Sequence, residues 1–234
     1  MQLFYTTHQE GDFLILEGEE AHHCANVLRH QAGHQINVTN GKGSLFHCTI
    51  IDKTKTTVRL MPDSEQKFET PAHLNLSIAI APTKNIDRFE WFVEKATEIG
   101  IGRTIPLHTK RSERTIIKHE RLFKLMISAM KQSNHFYLPE LHPLTTFKEL
   151  ITGVKTDIAL IAHCMADELP HVSKFIKPDR DVLICIGPEG DFTAEEVHTS
   201  ENAGFTGVSL GKSRLRTETA GIYACISFHQ ALIM

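Results

Sequence analysis

The chain has cysteines but no cysteine pattern. Cys24, Cys48, Cys164, Cys185 and Cys225 are widely spaced, odd in number and without a C-x-x-C pair, which excludes a disulfide framework and gives no thiolate zinc site. Fifteen histidines form no H-E-x-x-H, and His30 and His34 are interrupted by Gly33; no metal is expected. A dinucleotide fingerprint G-x-G-x-x-G is also missing. Gly211-Lys212-Ser213 looks like the end of a phosphate-binding P-loop, but that loop needs a glycine at position 206, where Thr206 stands, and Gly207 is one residue too close. The N-terminus carries acidic residues where a signal peptide needs a basic region, and no apolar stretch approaches membrane-spanning length. A cytoplasmic protein without a membrane partner is expected.

Overall basic charge is lacking too. The formal net charge of -3 and pI near 6.6 argue against a globally basic nucleic-acid binder. Local charge differs: Arg103, Lys110, Arg111, Arg114, Lys118, Arg121, Lys124 and Lys131 face only Glu113 and Glu120 in that interval. Such a segment suits several phosphates, or equally a solvated helix face.

With 234 residues and 41% hydrophobic content the chain can bury a core and form two domains. Residues 1–70 carry short alternating runs at 13–16, 35–39, 44–51 and 57–60, with the hairpin signal Asn40-Gly41 between two of them. Ala21, Cys24 and Leu28 have helical spacing, and Gly33 is the expected stop. The polar stretch from Pro62 to Pro71 reads as a linker. From Leu74 onward strands alternate with helices: strands at 76–81, 103–107, 158–162, 182–186 and 206–210, and helical faces through Phe89, Phe92, Val93, Ala96 and Ile99 and through Leu122, Leu125, Met126, Ala129 and Met130. That alternation indicates an α/β domain over 71–234, a mostly parallel sheet with helices on both faces.

Two turns near the C-terminus carry the functional signal. In Ile186-Gly187-Pro188-Glu189-Gly190-Asp191-Phe192-Thr193 an apolar strand ends and a helix begins, with Thr193 and Glu196 at capping-box spacing. The second, LGKSRLRTETAG from Leu210, leads through Thr217 into an apolar helix over 220–232. Ligands of open α/β sheets sit at such strand ends.

These two motifs resemble the RsmE family, S-adenosylmethionine-dependent enzymes of the SPOUT superfamily that methylate a uracil of 16S ribosomal RNA at N3. The likeness extends along nearly the whole chain. AHHCANVLRHQAGHQINVTNGKG resembles that family's small PUA-like β-barrel, and KNIDRFEWFVEKATEIGIGRTIPLHTKRSER the start of its catalytic domain. Asp191 stands where the family usually has a second glycine. The resemblance implies a C-terminal trefoil knot, dimerisation through the knotted region, and 16S ribosomal RNA or the small ribosomal subunit as partner. It places S-adenosylmethionine against Ile186, Gly187, Glu189, Gly190, Leu210, Gly211, Leu215 and Thr219, with the loop near His163 as a third wall. Leu210 and Leu215 also suit an ordinary core, and Gly187 and Gly190 simple turn geometry. Arg29, Lys84, Arg88, Lys110, Arg111 and Arg114 are the candidate RNA contacts.

Transfer of an activated methyl to uracil N3 requires removal of a proton and stabilisation of charge on two carbonyl oxygens. Arg216, forked and always charged, is the leading candidate for that role. Glu218 could orient it or accept the proton, with Glu189 as competing base; Glu218 also suits a favourable charge in the first turn of a helix. Two other readings stand beside this one: a SPOUT enzyme acting on another RNA position or atom, and a non-catalytic RNA-binding assembly factor.

Overall fold

The structure, a computed structural model, describes residues 1–153, 155–166, 168–177 and 179–233. It divides into two compact units, residues 1–70 with 127–138, and residues 71–126 with 139–234.

The first unit is a six-stranded sheet built from β1 (Leu3–Tyr5), β2 (Gln9–Glu10), β3 (Phe13–Glu17), β4 (Gln35–Thr39), β5 (Ser44–Lys53) and β6 (Thr57–Lys67), in the order β1-β4-β5-β6-β3-β2. The hairpin signal is realised between β4 and β5. Gly41 has φ +68°, and the Asn40 side-chain oxygen accepts from the Lys42 and Ser44 amides, the local bonding that makes Asn-Gly a turn former. Phe4, Leu14, Leu16, Ile36, Val38, Ile50, Val58 and Leu60 form its core with Ala21, Cys24 and Cys48.

Two expectations need correction here. The polar stretch from Pro62 is not all linker, because β6 continues to Lys67 against β5. Pro62, which cannot donate to a ladder, sits at a register shift: Cys48 pairs Pro62 and His47 pairs Ser64, passing over Asp63. The helix stop is also not Gly33. Helix α1 (Gly18–His22) widens into a π-turn over His23–Val27, and Arg29 at φ +56° turns the chain away; a widened turn exhausts its hydrogen bonds sooner than 3.6-residue spacing predicts.

The second unit is a parallel sheet of β7 (Leu76–Ile80), β8 (Arg103–His108), β9 (Glu140–Leu141), β10 (Thr145–Thr146), β11 (Ile158–Ala162), β12 (Val182–Ile186) and β13 (Thr206–Val208). The order is β10-β8-β7-β12-β11-β13, with β9 also paired to β8. Alternate residues serve two faces. Ala79, Ile105, Leu107, Ile161, Leu183 and Cys185 pack with Phe147 and Leu150 of α4 (Phe147–Gly153) and Val197 of α5 (Ala194–Asn202). On the other face α2 (Ile86–Ile99) meets α6 (Thr217–Ile233) so closely that a Cβ at Gly221 would lie 2.5 Å from the Phe92 ring. Helix α3 (His119–Gln132) carries the second predicted helical face, and its residues fall in both units. Burial pushes the thiols of Cys24, Cys48 and Cys225 up to about 11, about 12 and about 12, and Cys185 higher still, as inert core cysteines require. No helix among the described residues is long and apolar enough to cross a membrane, and none of their His, Cys, Asp and Glu side chains form a group of three fit to hold a metal.

Candidate functional site

Three loops leave the sheet side by side because three strands end in register. Ala162, last in β11, pairs with Ile186, last in β12, on one side and with Val208, last in β13, on the other. All run parallel, so the segments 163–164, 187–191 and 209–215 emerge from one edge. They enclose a cleft of about 530 Å³, its open mouth included, lined by Ile186, Gly187, Leu210, Gly211, Leu215 and His163. Ala162, Cys164, Pro188, Asp191, Ser209, Ser213, Thr217 and Ala220 complete the lining.

The turn after β12 is fixed from several directions. Its own closure is the Asp191 amide to the Pro188 carbonyl, 2.9 Å. Beyond it, Thr193 and Glu196 form the expected capping box: Thr193 Oγ1 accepts from the Glu196 amide, and Glu196 Oε2 accepts from the Thr193 amide at 2.8 Å. Gly187 is closely backed, since a Cβ there would lie 3.2 Å from the Phe192 ring and amide, which would have to give by a few tenths of an ångström. From the second segment, Thr217 Oγ1 donates to the Gly187 carbonyl at 3.2 Å. From the loop after β8, the Arg111 guanidinium donates to the Gly190 and Phe192 carbonyls at 2.7 and 3.1 Å. The Lys110 amide reaches Glu196 Oε1 at 2.8 Å.

The third wall has its own chemistry. His163 Nδ1 accepts from the Met165 amide at 3.2 Å, which puts the neutral ring's proton on Nε2. Nε2 is buried without a hydrogen-bond partner among the described residues. Burial lowers the His163 pKa, opposed by the nearby charges of Asp191 and Glu201. Nε2 faces the backbone of β13, where a Cβ at Gly207 would lie 2.9 Å from it, so the ring packs the wall against its neighbouring strand.

Other candidates lie around the cleft and not on its lining. Glu189 is exposed and accepts the Lys84 amide at 3.0 Å; Gly190 is held under Arg111, whose Cδ a Cβ would meet at 3.4 Å; Thr219 faces solvent. Arg216 is exposed, one residue before α6. Glu218 is buried in the first turn of α6, 3.9 Å from Arg88 Nε. Of the basic candidates, Arg114 is bonded to the Thr83 and Lys84 carbonyls at 3.1 and 2.6 Å, Lys84 to Glu113 at 2.9 Å, and Lys110 to Glu195 at 3.1 Å. Arg29 is exposed in the first unit. Sequence reasoning missed Asp191, Thr217, Ser209 and Ser213 as lining residues. Their proximity to the two motifs was the available signal.

The model of an RNA methyltransferase domain matches residues 70–229, and that of an RNA methyltransferase PUA domain matches residues 16–60. A Bacillus subtilis protein named ribosomal RNA small subunit methyltransferase E is 29% identical, covering 96% of this chain and 93% of its own. The crystal structure of a probable rRNA-methyltransferase from Porphyromonas gingivalis superposes with a TM-score of 0.90 at 38% identity, over 99% of this chain and 98% of that one. A putative methyltransferase from Legionella pneumophila, in complex with bound S-adenosylmethionine, does so at 0.86 and 29% identity, over 98% and 97%.

Proposed function

The chain belongs to the RNA methyltransferase family with an N-terminal PUA domain, in its ribosomal small-subunit methyltransferase E branch, and on that premise we propose that it methylates N3 of a uracil in 16S ribosomal RNA with S-adenosylmethionine as donor. The observation that carries the reading is the in-register convergence of three loops on one cleft, in a chain that is similar over 98% of its length to a methyltransferase with that donor bound.

The residues present fit the donor. Ile186, Leu210 and Leu215 offer aliphatic surface to an adenine ring, while the backbone at Gly187 and Gly211 offers polar contacts. Bound there, S-adenosylmethionine supplies a methyl already activated on sulfonium. The chain's own residues must make the acceptor electron-rich. Arg216, exposed beside the second segment, is placed by this reading on the uracil carbonyl oxygens, where a fixed fork favours both loss of the N3 proton and the charge that follows. Glu218, buried and 3.9 Å from Arg88, is given the role of orienting Arg216 or taking the proton, with Glu189 as the other base.

The same reading gives the first unit the task of holding RNA, with Arg29 there and Lys84, Arg88, Lys110, Arg111 and Arg114 of the second unit as the RNA contacts. It carries a C-terminal knot, a cytoplasmic location, and a homodimer through α6, whose Tyr223, Ile226 and Ile233 are 37, 42 and 86% exposed. Light scattering tests the dimer: a mass of 26.4 kDa at micromolar concentration rejects it. Nucleoside mass spectrometry of ribosomal RNA from cells with and without the gene tests the reaction, and should show 3-methyluridine only in the former. A protein that fails to bind S-adenosylmethionine and leaves ribosomal RNA unchanged would be a non-catalytic RNA-binding factor.

A further inference from the structure

Asp191 occupies a backbone conformation that an L-residue adopts at a cost. Its φ is +61°, in the left-handed region where glycine is at ease and where Asp or Asn is accepted when its short side chain bonds locally. The side chain is fully engaged. Oδ1 accepts from the Phe192 amide at 2.7 Å, and Oδ2 accepts from the Cys164 amide at 2.9 Å. The second bond joins positions 27 residues apart: it runs from the turn after β12 to the loop after β11, and both of its residues line the cleft.

Besides that bond the loop at 163–164 has the Met165 amide on His163 Nδ1 and the packing of the His163 ring against Gly207, and among the described residues no other side-chain hydrogen bond runs from it to the turn it faces. A glycine at 191 would relieve the backbone and give up the tie. We propose that Asp191 is a positioning residue of the donor cleft, its carboxylate holding the His163–Cys164 wall against the Gly187–Asp191 turn so that the cleft has its binding shape before the donor arrives. The inference rests on the reading of the cleft as a donor site. It assigns to this chain a device that a glycine at the same place lacks. Preorganisation of this kind acts on affinity, since ordering of the wall is then no longer charged against binding.

Asp191→Gly and Asp191→Asn in the full chain separate the possibilities, with S-adenosylhomocysteine titrated calorimetrically and methylation followed against donor concentration. The glycine variant suits the left-handed backbone, so it should fold, with relief of strain offsetting part of the lost side-chain bonds. Its donor KM and S-adenosylhomocysteine Kd should rise about tenfold, from loss of the charge-assisted bond that ties Cys164 to the turn, while kcat at saturating donor stays near that of the unaltered protein. The asparagine variant has one acceptor oxygen in place of two and can accept from Cys164 only by turning its NH2 toward the Phe192 amide, so it should recover at most part of that loss. Equal affinity in the glycine variant and the unaltered protein would overturn the proposal while leaving the donor site standing. A fall in kcat with donor affinity unchanged would overturn it as well. No heat from the unaltered protein would overturn the donor reading and this one with it.

Discussion

Thr217, the first residue of α6, donates its hydroxyl hydrogen to the carbonyl of Gly187, the first residue beyond β12, across 3.2 Å of buried space. One bond thereby joins the two motifs that the cleft is made from. Thr217→Val keeps the shape and β-branching and leaves the Gly187 carbonyl unsatisfied, so stability should fall by roughly 1–3 kcal/mol. Thr217→Ser should retain most of it. Urea denaturation of the two variants provides the check, and a valine variant as stable as the serine one would show that the bond contributes nothing.

Cys164 lines the cleft and is exposed, while Cys24, Cys48, Cys185 and Cys225 are buried. A thiol reagent under native conditions should label one cysteine quickly, identified by peptide mass spectrometry as Cys164. Saturating S-adenosylhomocysteine should slow that labelling severalfold, because ligand in the cleft shields the sulfur. Labelling indifferent to the ligand would place the ligand elsewhere.

Arg111 invites phosphate from its sequence surroundings, yet its guanidinium is bonded to two carbonyls of the turn. Arg111→Ala should weaken donor binding about tenfold through the loosened turn. If the guanidinium serves RNA instead, donor affinity will be unchanged and the salt dependence of RNA binding will drop by about one counterion. Calorimetry with S-adenosylhomocysteine beside RNA binding at several salt concentrations distinguishes the two.

Stability should decline on the acid side. Burial lowers the pKa of His163 and of His30, the latter also through His34 and His23. The folded state then binds protons less readily than the unfolded state, in which each ring titrates near 6.5. Their contribution is complete above that pH and is lost as pH falls from it toward the lowered values. His8, raised chiefly by its bond to Glu17, acts in the opposite sense, but at an exposed site where screening weakens it. Thermal melting from pH 7.5 to 5 should show the decline, and His163→Gln should flatten it; an unchanged acid limb in that variant would assign the decline to other groups.

Arg216→Lys separates chemistry from binding. If the fork addresses two uracil oxygens, the lysine variant should bind donor normally and lose about a hundredfold to a thousandfold in rate. Higher pH should partly restore it, since more uracil is then already deprotonated. Glu218→Gln should recover likewise only if Glu218 is the base. Single-turnover assays across pH at saturating donor read all three. Weak donor binding with a normal rate at saturation would move Arg216 into the donor site.

What was legible in the sequence is what is decided locally. The apolar run of β12, the Thr193–Glu196 capping box and the Asn40-Gly41 turn each depend on residues within a few positions, and each formed where expected. The extension of β6 was illegible because Pro62 and the polar residues after it read as linker, and only the bulge opposite His47 and Cys48 makes room for them. Arg111 was legible as a cation and not as a clamp, since its partners lie 79 and 81 residues away. Asp191 stood out only as a substituted glycine; its left-handed backbone and its reach to Cys164 are tertiary facts.

The pairing of Ala162 with both Ile186 and Val208 also sets an order of events during synthesis. The outermost of the three strands is translated last, and the lining is not complete until Ala220 has been made. A chain halted after residue 191 has the first glycine turn and the loop it faces, but no second segment to close over them. The nascent protein therefore passes through translation of most of its sequence without a finished cleft, which closes only with the last strand and the start of the final helix, as domains fold in units during elongation.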